Sequence, residues 1–166
     1  MLYLKEMNLE DAAEEYACLQ ELPRENGFYN PCCGLDYETF VAKAMPDYFN
    51  TSKGVGLRPG RVPETWYFLW DDDRAVDLFK LRHYLNDALR NGGGHIGYGV
   101  RKGFRGRGYG TRGLALAVEK ARAVIPEDEV YLSVNKDNPA SLKVMLNNGA
   151  TIHHEDELEY YTRIKL

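Results

Sequence analysis

Hydrophobic residues follow a mostly helical spacing in the first third of the chain, and the alternation typical of strands begins after residue 63. Apolar residues recur every three or four positions over residues 9–19, which predicts a helix that Asn8 caps and that ends before Pro23. A second helix is predicted over residues 36–45 and is ended by Pro46. Both helices precede the first long run of aromatic residues.

Short runs rich in aromatic and β-branched residues predict strands along the rest of the chain. With one strand at the N-terminus, the predicted strands are residues 2–7, 65–70, 75–84, 95–100, 130–134, 150–154 and 159–165. Two more helices are predicted, over residues 110–124 and over residues 139–147, where Gly149 marks the end. This order predicts an α/β protein with an antiparallel front half, a β-α-β-α unit and a terminal hairpin.

Length and composition favour one globular domain spanning residues 1–166, because 166 residues with 44% hydrophobic content bury a full core. No apolar run approaches the ~20 residues of a membrane span, and the N-terminus lacks a signal-peptide pattern. We therefore expect a cytoplasmic protein without a membrane partner. Cys18, Cys32 and Cys33 have no metal-ligand spacing, so we expect structural thiols and no metal site.

The charge of the chain is unevenly distributed. The net charge is −4, which argues against a nucleic-acid partner. Between Arg101 and Arg112, however, there are five cationic side chains and no acid. A basic island on an acidic body favours a compact anionic ligand over a long polyanion.

Three glycines interrupt this basic island just before a predicted helix. Gly106, Gly108 and Gly110 remove side chains where the backbone must turn tightly or approach a ligand. The first N–H groups of a helix have no partner within the helix, and the helix dipole favours an anion beside them. We therefore predict a phosphate-binding loop between a strand and a helix.

Two well-known phosphate motifs fit this loop poorly. A Walker A loop requires a lysine at a position where this chain has none. A dinucleotide fingerprint can be traced from Gly108 to Gly113, with Asp137 as the acid after the next strand, so a Rossmann-type protein stays an alternative. Against it, the first glycine comes well after the strand ends, and too little chain is left for a second mononucleotide half.

A third motif, R-x-x-G-x-G from Arg105 to Gly110, resembles the acyl-CoA pyrophosphate loop of the GNAT acetyltransferase superfamily. The segments "GHIGYGVRKGFRGRGYGT" and "VYLSVNKDNPASLKVMLNNGA" extend the resemblance, which covers residues 64–166. The stretch "LRHYLNDALRNGGGHIGYGVR" is particularly similar to a bacterial subgroup of predicted GNAT acetyltransferases. The resemblance implies a single GNAT-type α/β domain. Its central sheet would be mixed but mostly antiparallel, with about seven strands splayed at the cofactor site and about four helices.

The resemblance also implies that the ligand is acetyl-CoA. The pantetheine amides would pair with the backbone of the strand at 98–100, and the pyrophosphate would lie on the backbone of residues 106–111. The implied cofactor-binding residues are Tyr98, Gly99, Val100, Arg105, Gly106, Arg107, Gly108, Tyr109, Gly110, Thr111, Asn138 and Ser141. For the 3′-phosphate, the sequence leaves Arg101, Lys102 and Arg107 as equal candidates.

The implied reaction is direct transfer of an acetyl group to a primary amine on a small molecule or a peptide. Family members often use a tyrosine as the acid, seven residues after the motif asparagine, but here that position is Met145. Tyr98, His95 and His83 are the other catalytic candidates near the strand. Alternation places His95 on the opposite face of the strand from Tyr98.

Because Met145 cannot donate a proton, a CoA-binding sensor or regulator without turnover is the main alternative to an enzyme. Dimerisation is common among the relatives, so a homodimer is an option, although nothing in the sequence fixes the oligomeric state.

Overall fold

The computed structural model describes all residues from Met1 to Leu166. The strands are β1 (Leu2–Glu6), β2 (Glu64–Asp71), β3 (Arg74–Arg82), β4 (Ile96–Val100), β5 (Glu129–Asn135), β6 (Thr151–Glu155) and β7 (Glu159–Lys165). The helices are α1 (Ala12–Gln20), α2 (Tyr37–Thr39), α3 (Met45–Thr51), α4 (Asp87–Arg90), α5 (Tyr109–Arg122) and α6 (Pro139–Asn147). A π-helical turn (Phe40–Ala44) joins α2 to α3, and a 3₁₀ turn (Lys102–Phe104) follows β4.

The predicted α/β fold with seven strands is confirmed, and the strands divide into two sheets. The first has the order β1-β2-β3-β4 and the second the order β5-β7-β6. Every ladder is antiparallel, whereas a mixed sheet was predicted. The difference arises at β4 and β5, which are neighbours but share no ladder.

Two apolar clusters hold the helices against the sheets. One cluster includes Phe79 and Ile96 of the first sheet, Leu132 of the second sheet and Leu114 of α5. The other includes Phe68 and packs α1 and the α2–α3 region against the opposite face of the first sheet. Burying an aliphatic or aromatic side chain of this size contributes about 1.5–3 kcal/mol, so the first cluster fixes α5 relative to β4.

The second predicted helix was placed wrongly, because it does not end at Pro46. The chain stays helical from Tyr37 to Thr51, with proline in the first turn of α3. The π-helical turn explains this, because the Met45 N–H bonds to the Phe40 carbonyl, five residues back. The altered hydrogen bonding just before Pro46 lets the helix continue through this residue, which has no backbone N–H to donate.

The first predicted helix also begins later than the sequence indicated. Asn8 Oδ1 accepts a hydrogen bond from the Asp11 N–H at 3.1 Å, and α1 starts only at Ala12. Asn8 therefore caps the turn that leads into the helix.

The two sheets are joined at one point. The His95 N–H donates to the Tyr131 carbonyl of β5 at 2.7 Å, and the Tyr131 N–H donates to His95 Nδ1 at 2.9 Å. Beyond this point no backbone hydrogen bond joins β4 to β5. The strands therefore separate along β4, as the predicted splay requires.

Gly94 makes this close approach feasible. Its φ is +66°, in the left-handed region that glycine adopts without strain. A Cβ atom at this position would lie 2.1 Å from the Tyr131 carbonyl oxygen. Any side chain here would push the two sheets apart at their only backbone connection.

His95 is buried at the same junction. Its Nδ1 accepts from the backbone, so Nε2 carries the proton and donates to Glu127 Oε2 at 2.8 Å. Burial lowers the pKa of His95, and this effect outweighs the opposing influence of the Glu127 carboxylate. The folded protein therefore keeps this imidazole neutral.

No helix in the structure combines the length and the apolar content needed to cross a membrane.

We expect Gly94→Ala to lower the free energy of unfolding by about 2–4 kcal/mol, because it adds both a clash and a left-handed alanine. Gly103→Ala is the matched control, since a Cβ there would have no atom within 4 Å. Urea denaturation of both variants measures the difference. Equal stabilities would show that the junction tolerates a side chain.

His95→Gln should flatten the pH dependence of stability on the acid side of neutrality. Because burial lowers the pKa of His95 below its ordinary value of 6.5, the unfolded chain binds a proton that the folded chain does not. Stability of the wild type therefore falls as the pH decreases through that value. Unfolding free energies measured between about pH 7 and 5.5 should show a smaller slope in the variant, and parallel curves would contradict the assignment.

Candidate functional site

A cleft of about 570 Å³ lies between β4 and β5, and the first turns of α5 and α6 complete its walls. All the predicted cofactor-binding residues line it except Arg107. The Arg107 guanidinium instead lies over the Phe104 ring, 5.7 Å from its centre.

The glycine loop presents a row of unpaired backbone donors. The N–H groups of residues 106–111 make no hydrogen bond within the protein, and the Arg112 N–H is the first to bond, to the Gly108 carbonyl. Gly106 and Gly108 have φ values of +75° and +78°, and Gly108 is the N-cap of the 14-residue helix α5. These donors and the helix dipole form a site that can hold an anion.

Arg105, the first residue of the motif, fixes this loop in place. Its Nε donates to the Val100 carbonyl at 3.1 Å, and its two terminal nitrogens contact the Glu25 carboxylate at 3.3 and 2.7 Å. The guanidinium hydrogen bond lowers the pKa of Glu25. Arg105 therefore links the end of β4 to the loop that follows α1.

Arg101 does not serve as a phosphate-binding cation, so this candidate was wrong. Its side chain is buried, donates to the Ala75 carbonyl at 2.8 Å and to Glu14 Oε1 at 2.9 Å, and also pairs with Glu21. It anchors α1 to the first sheet. Of the three candidates for the 3′-phosphate, Lys102 and Arg107 are exposed beside the loop.

The edge of β4 that faces the cleft carries unpaired backbone groups. The Arg82 N–H bonds to the His95 carbonyl and the Arg101 N–H to the Val76 carbonyl, which sets the alternation along the strand. In an antiparallel pair, residues at every second position direct both N–H and C=O to the partner strand. Gly97 and Gly99 therefore face β3, and the backbone of residues 96, 98 and 100 faces the cleft.

Tyr98 connects this edge to α6. Its hydroxyl lies 2.6 Å from Ser141 Oγ and 3.2 Å from the Ser141 carbonyl, and its ring stacks on Phe79. Burial raises the pKa of Tyr98, so its hydroxyl is protonated at neutral pH. Asn138 Oδ1 accepts from the Ser141 N–H at 3.3 Å and caps the helix.

Met145 also lines the cleft but offers no proton. Its side chain is 2% exposed, and its sulfur accepts a hydrogen bond from Thr162 Oγ1 at 3.5 Å. The cleft therefore has no acid at the position where the resemblance implies a tyrosine.

The two histidine candidates lie outside the cleft. His95 is enclosed by Glu127 and Tyr131, as described above. His83 Nε2 is 2.8 Å from Thr65 Oγ1, and burial lowers the pKa of this imidazole. Of the three catalytic candidates, only Tyr98 reaches the cleft.

One wall of the cleft, formed by residues 26–28, was not predicted from the sequence. The backbones of Glu25 and Phe28 bond to each other at 2.8 and 3.3 Å around the Asn26–Gly27 turn, whose φ values of 49° and 79° are those of a type I′ hairpin. Phe28 covers Gly99, where a Cβ would lie 3.2 Å from the ring. The Asn-Gly pair signals the turn, but no local pattern indicates that it packs on β4.

Further cleft residues come from the second sheet and were also not predicted. They are Ser133, Asn135 and Glu159, which lie on adjacent strands with Asn135 directly opposite Glu159. These residues meet in the cleft only because β5 pairs with β7. The alternation within each strand does not specify that pairing.

The solved structures to which this chain is similar include several acetyltransferases. A GNAT-family acetyltransferase from Streptococcus pneumoniae is 15% identical, with a TM-score of 0.62 and 100% coverage of both chains. The N-acetyltransferase PseH from Campylobacter jejuni, in complex with acetyl coenzyme A, is 14% identical, with a TM-score of 0.55 and 99% coverage of both chains. Spermidine N-acetyltransferase from Vibrio cholerae, in complex with CoA and spermine, is 12% identical, with a TM-score of 0.63, and the match covers 99% of this chain and 95% of that one.

No curated protein matches the sequence significantly. The sequence model of the family described as the acetyltransferase (GNAT) domain, in contrast, matches residues 2–151, nearly the whole chain. The chain therefore belongs to the GNAT acetyltransferase family.

Proposed function

We propose that this protein is an N-acetyltransferase that moves an acetyl group from acetyl-CoA to a primary amine by direct transfer. One observation carries the proposal: six unpaired N–H groups at residues 106–111 adjoin the unpaired edge of β4 within one cleft. The first feature suits a diphosphate and the second suits a chain of amides, which together describe CoA.

The residues present fit this ligand. The N–H groups of the glycine loop would hold the pyrophosphate, and Lys102 and Arg107 are the cations available for a further phosphate. The N–H and C=O groups of Tyr98 would pair with pantetheine amides. Asn138 and Ser141 would flank that arm from the first turn of α6.

Two groups of the chain would assist the transfer. The Val100 N–H faces the cleft and would donate to the thioester oxygen as negative charge develops on it. The Tyr98 hydroxyl is protonated and contacts Ser141 of α6, and we assign it the role of protonating the departing thiolate. Tyr98 would thus replace the acid that Met145 cannot provide.

The acceptor would be a primary amine on a small molecule or a peptide. The relative bound to spermine acts on spermidine, and its shared fold supports an amine acceptor here. A homodimer stays a prediction.

A CoA-binding module without turnover is the second candidate function. The observation that favours it is the buried Met145 at the position of the family's acid. The earlier alternative of a Rossmann-type dinucleotide fold is wrong, because the chain belongs to the GNAT family and both sheets are antiparallel.

Gly108→Asn should weaken acetyl-CoA binding at least tenfold by adding a side chain to the phosphate-binding loop. Asparagine tolerates the left-handed backbone of this position, so the fold should survive. Gly56→Asn is the matched control, with a φ of +70° and no atom within 4 Å of a Cβ. Isothermal titration measures both variants. Failure of the wild type to bind acetyl-CoA, or equal affinity in all three proteins, would contradict the loop assignment.

Tyr98→Phe should lower kcat for amine acetylation by about 100-fold while acetyl-CoA affinity changes less than about threefold, because only the proton donor is removed. Tyr37→Phe, on an exposed tyrosine of α2, controls for the loss of a hydroxyl. Thiol release with a panel of primary amines gives kcat, and titration gives affinity. Unchanged kcat would remove Tyr98 from the mechanism, and wild-type binding without thiol release would favour the non-catalytic module.

A further inference from the structure

The cleft contains only two carboxylates, Glu25 and Glu159. Glu25 is paired with Arg105 through both of its oxygens, so its charge is compensated. Glu159 forms no ion pair. It is therefore the one anionic group of the cleft that is available to a cationic ligand.

Glu159 is held in place by weak hydrogen bonds that leave it able to accept more. Ser133 Oγ donates to Glu159 Oε1 at 3.3 Å, and the Tyr161 hydroxyl lies 3.2 Å from Oε2. The same hydroxyl lies closer to Asp156, at 2.8 Å from Oδ2. A phenol has one proton to donate, so the Tyr161 hydroxyl donates it to the nearer carboxylate, that of Asp156. The Glu159 carboxylate can therefore accept further hydrogen bonds.

The other groups around Glu159 do not neutralise it. On its own hairpin, Asp156 adds a second negative charge, and the His154 ring stacks on Tyr161 at 4.4 Å between centres. The facing strand β5 contributes Ser133 and Asn135, neither of which titrates. Lys136, which follows Asn135, pairs with Glu155 at 3.3 Å and lies over the Tyr160 ring. The side-chain hydroxyls and carboxylates on this part of the second sheet therefore favour a cation.

Besides Arg105, the cleft is lined by Lys143 of α6, which forms no ion pair, and by Arg82, which is already bonded. Arg82 donates to the Gly94 carbonyl at 2.9 Å and lies 3.8 Å from Glu64. It therefore has protein partners of its own on the first sheet. An acceptor amine that enters the cleft as an ammonium would find Glu159 as its counter-ion.

We propose that Glu159 is the general base that binds the ammonium group of the acceptor and takes its proton. This inference rests on the proposed function and deepens it, because it defines the acceptor as an amine that arrives in its cationic form. An amine must lose its proton before its lone pair can attack the thioester carbon.

The ammonium nitrogen loses two protons during the proposed transfer. The Glu159 carboxylate takes one proton from the ammonium and later releases it to water. The amine nitrogen then forms a bond to the acyl carbon as the carbon–sulfur bond breaks. The Tyr98 hydroxyl gives its proton to the thiolate, and the second proton lost by the nitrogen restores it through solvent.

The test compares Glu159→Gln with Glu157→Gln, an exposed acid of the same β6–β7 turn. The probes are spermidine, n-butylamine and glycinamide, together with trifluoroethylamine, which is already neutral at pH 7. We expect Glu159→Gln to lower kcat/KM for the protonated amines at least 100-fold, while trifluoroethylamine changes less than about threefold. Glu157→Gln should behave as the wild type with every probe.

The pH profile separates a base from a structural role. The wild-type kcat/KM for a cationic amine should be flat across neutral pH, whereas that of Glu159→Gln should rise about tenfold per pH unit, since only free amine then reacts. Equal loss with all four probes, or parallel pH profiles, would overturn the role of Glu159 and leave the proposed function standing. A wild-type protein that binds acetyl-CoA but acetylates none of the probes would contradict both.

Discussion

The separation of β4 from β5 after a single backbone connection is the constraint on which the site depends. Gly94 lets the two strands touch at the Tyr131 carbonyl, and the buried His95–Glu127 pair completes this junction. Beyond it, β4 keeps its bonds to β3 and leaves its other edge unpaired. An unpaired edge inside a protein costs free energy unless a ligand or water satisfies it, so the cleft is built to be filled.

The elements around the cleft were largely predictable where local chemistry marks their ends. The bounds of α6 coincide with the prediction, because Asn138 and Pro139 begin it and Gly149 follows it. The glycine loop was equally predictable from the sequence, because its residues follow one another along the chain. In contrast, the π-helical turn before Pro46 reflects packing of the surrounding helix on the sheet, which no local propensity indicates.

Residues whose roles depend on distant partners could not be assigned from the sequence. Arg101 lies among the cations of the basic island but pairs with Glu14, which is 87 residues away. Glu159 joins the cleft only because β7 pairs with β5 in one particular register. Sequence spacing shows which side chains share a face of one strand, whereas the partner of that strand decides which of them meet.

The Arg105–Glu25 pair shows how the loop can be ordered and still receive an anion. Both side chains are more than 40% exposed, and an ion pair in such a setting contributes only about 0–1 kcal/mol. Arg105 uses only some of its N–H donors for Val100 and Glu25, so a phosphate can bind the remaining donors beside Glu25. The bond from Arg105 Nε to the Val100 carbonyl does not involve Glu25. The arginine thus keeps the loop aligned with β4 and stays paired with Glu25, while its remaining N–H donors are available to a phosphate.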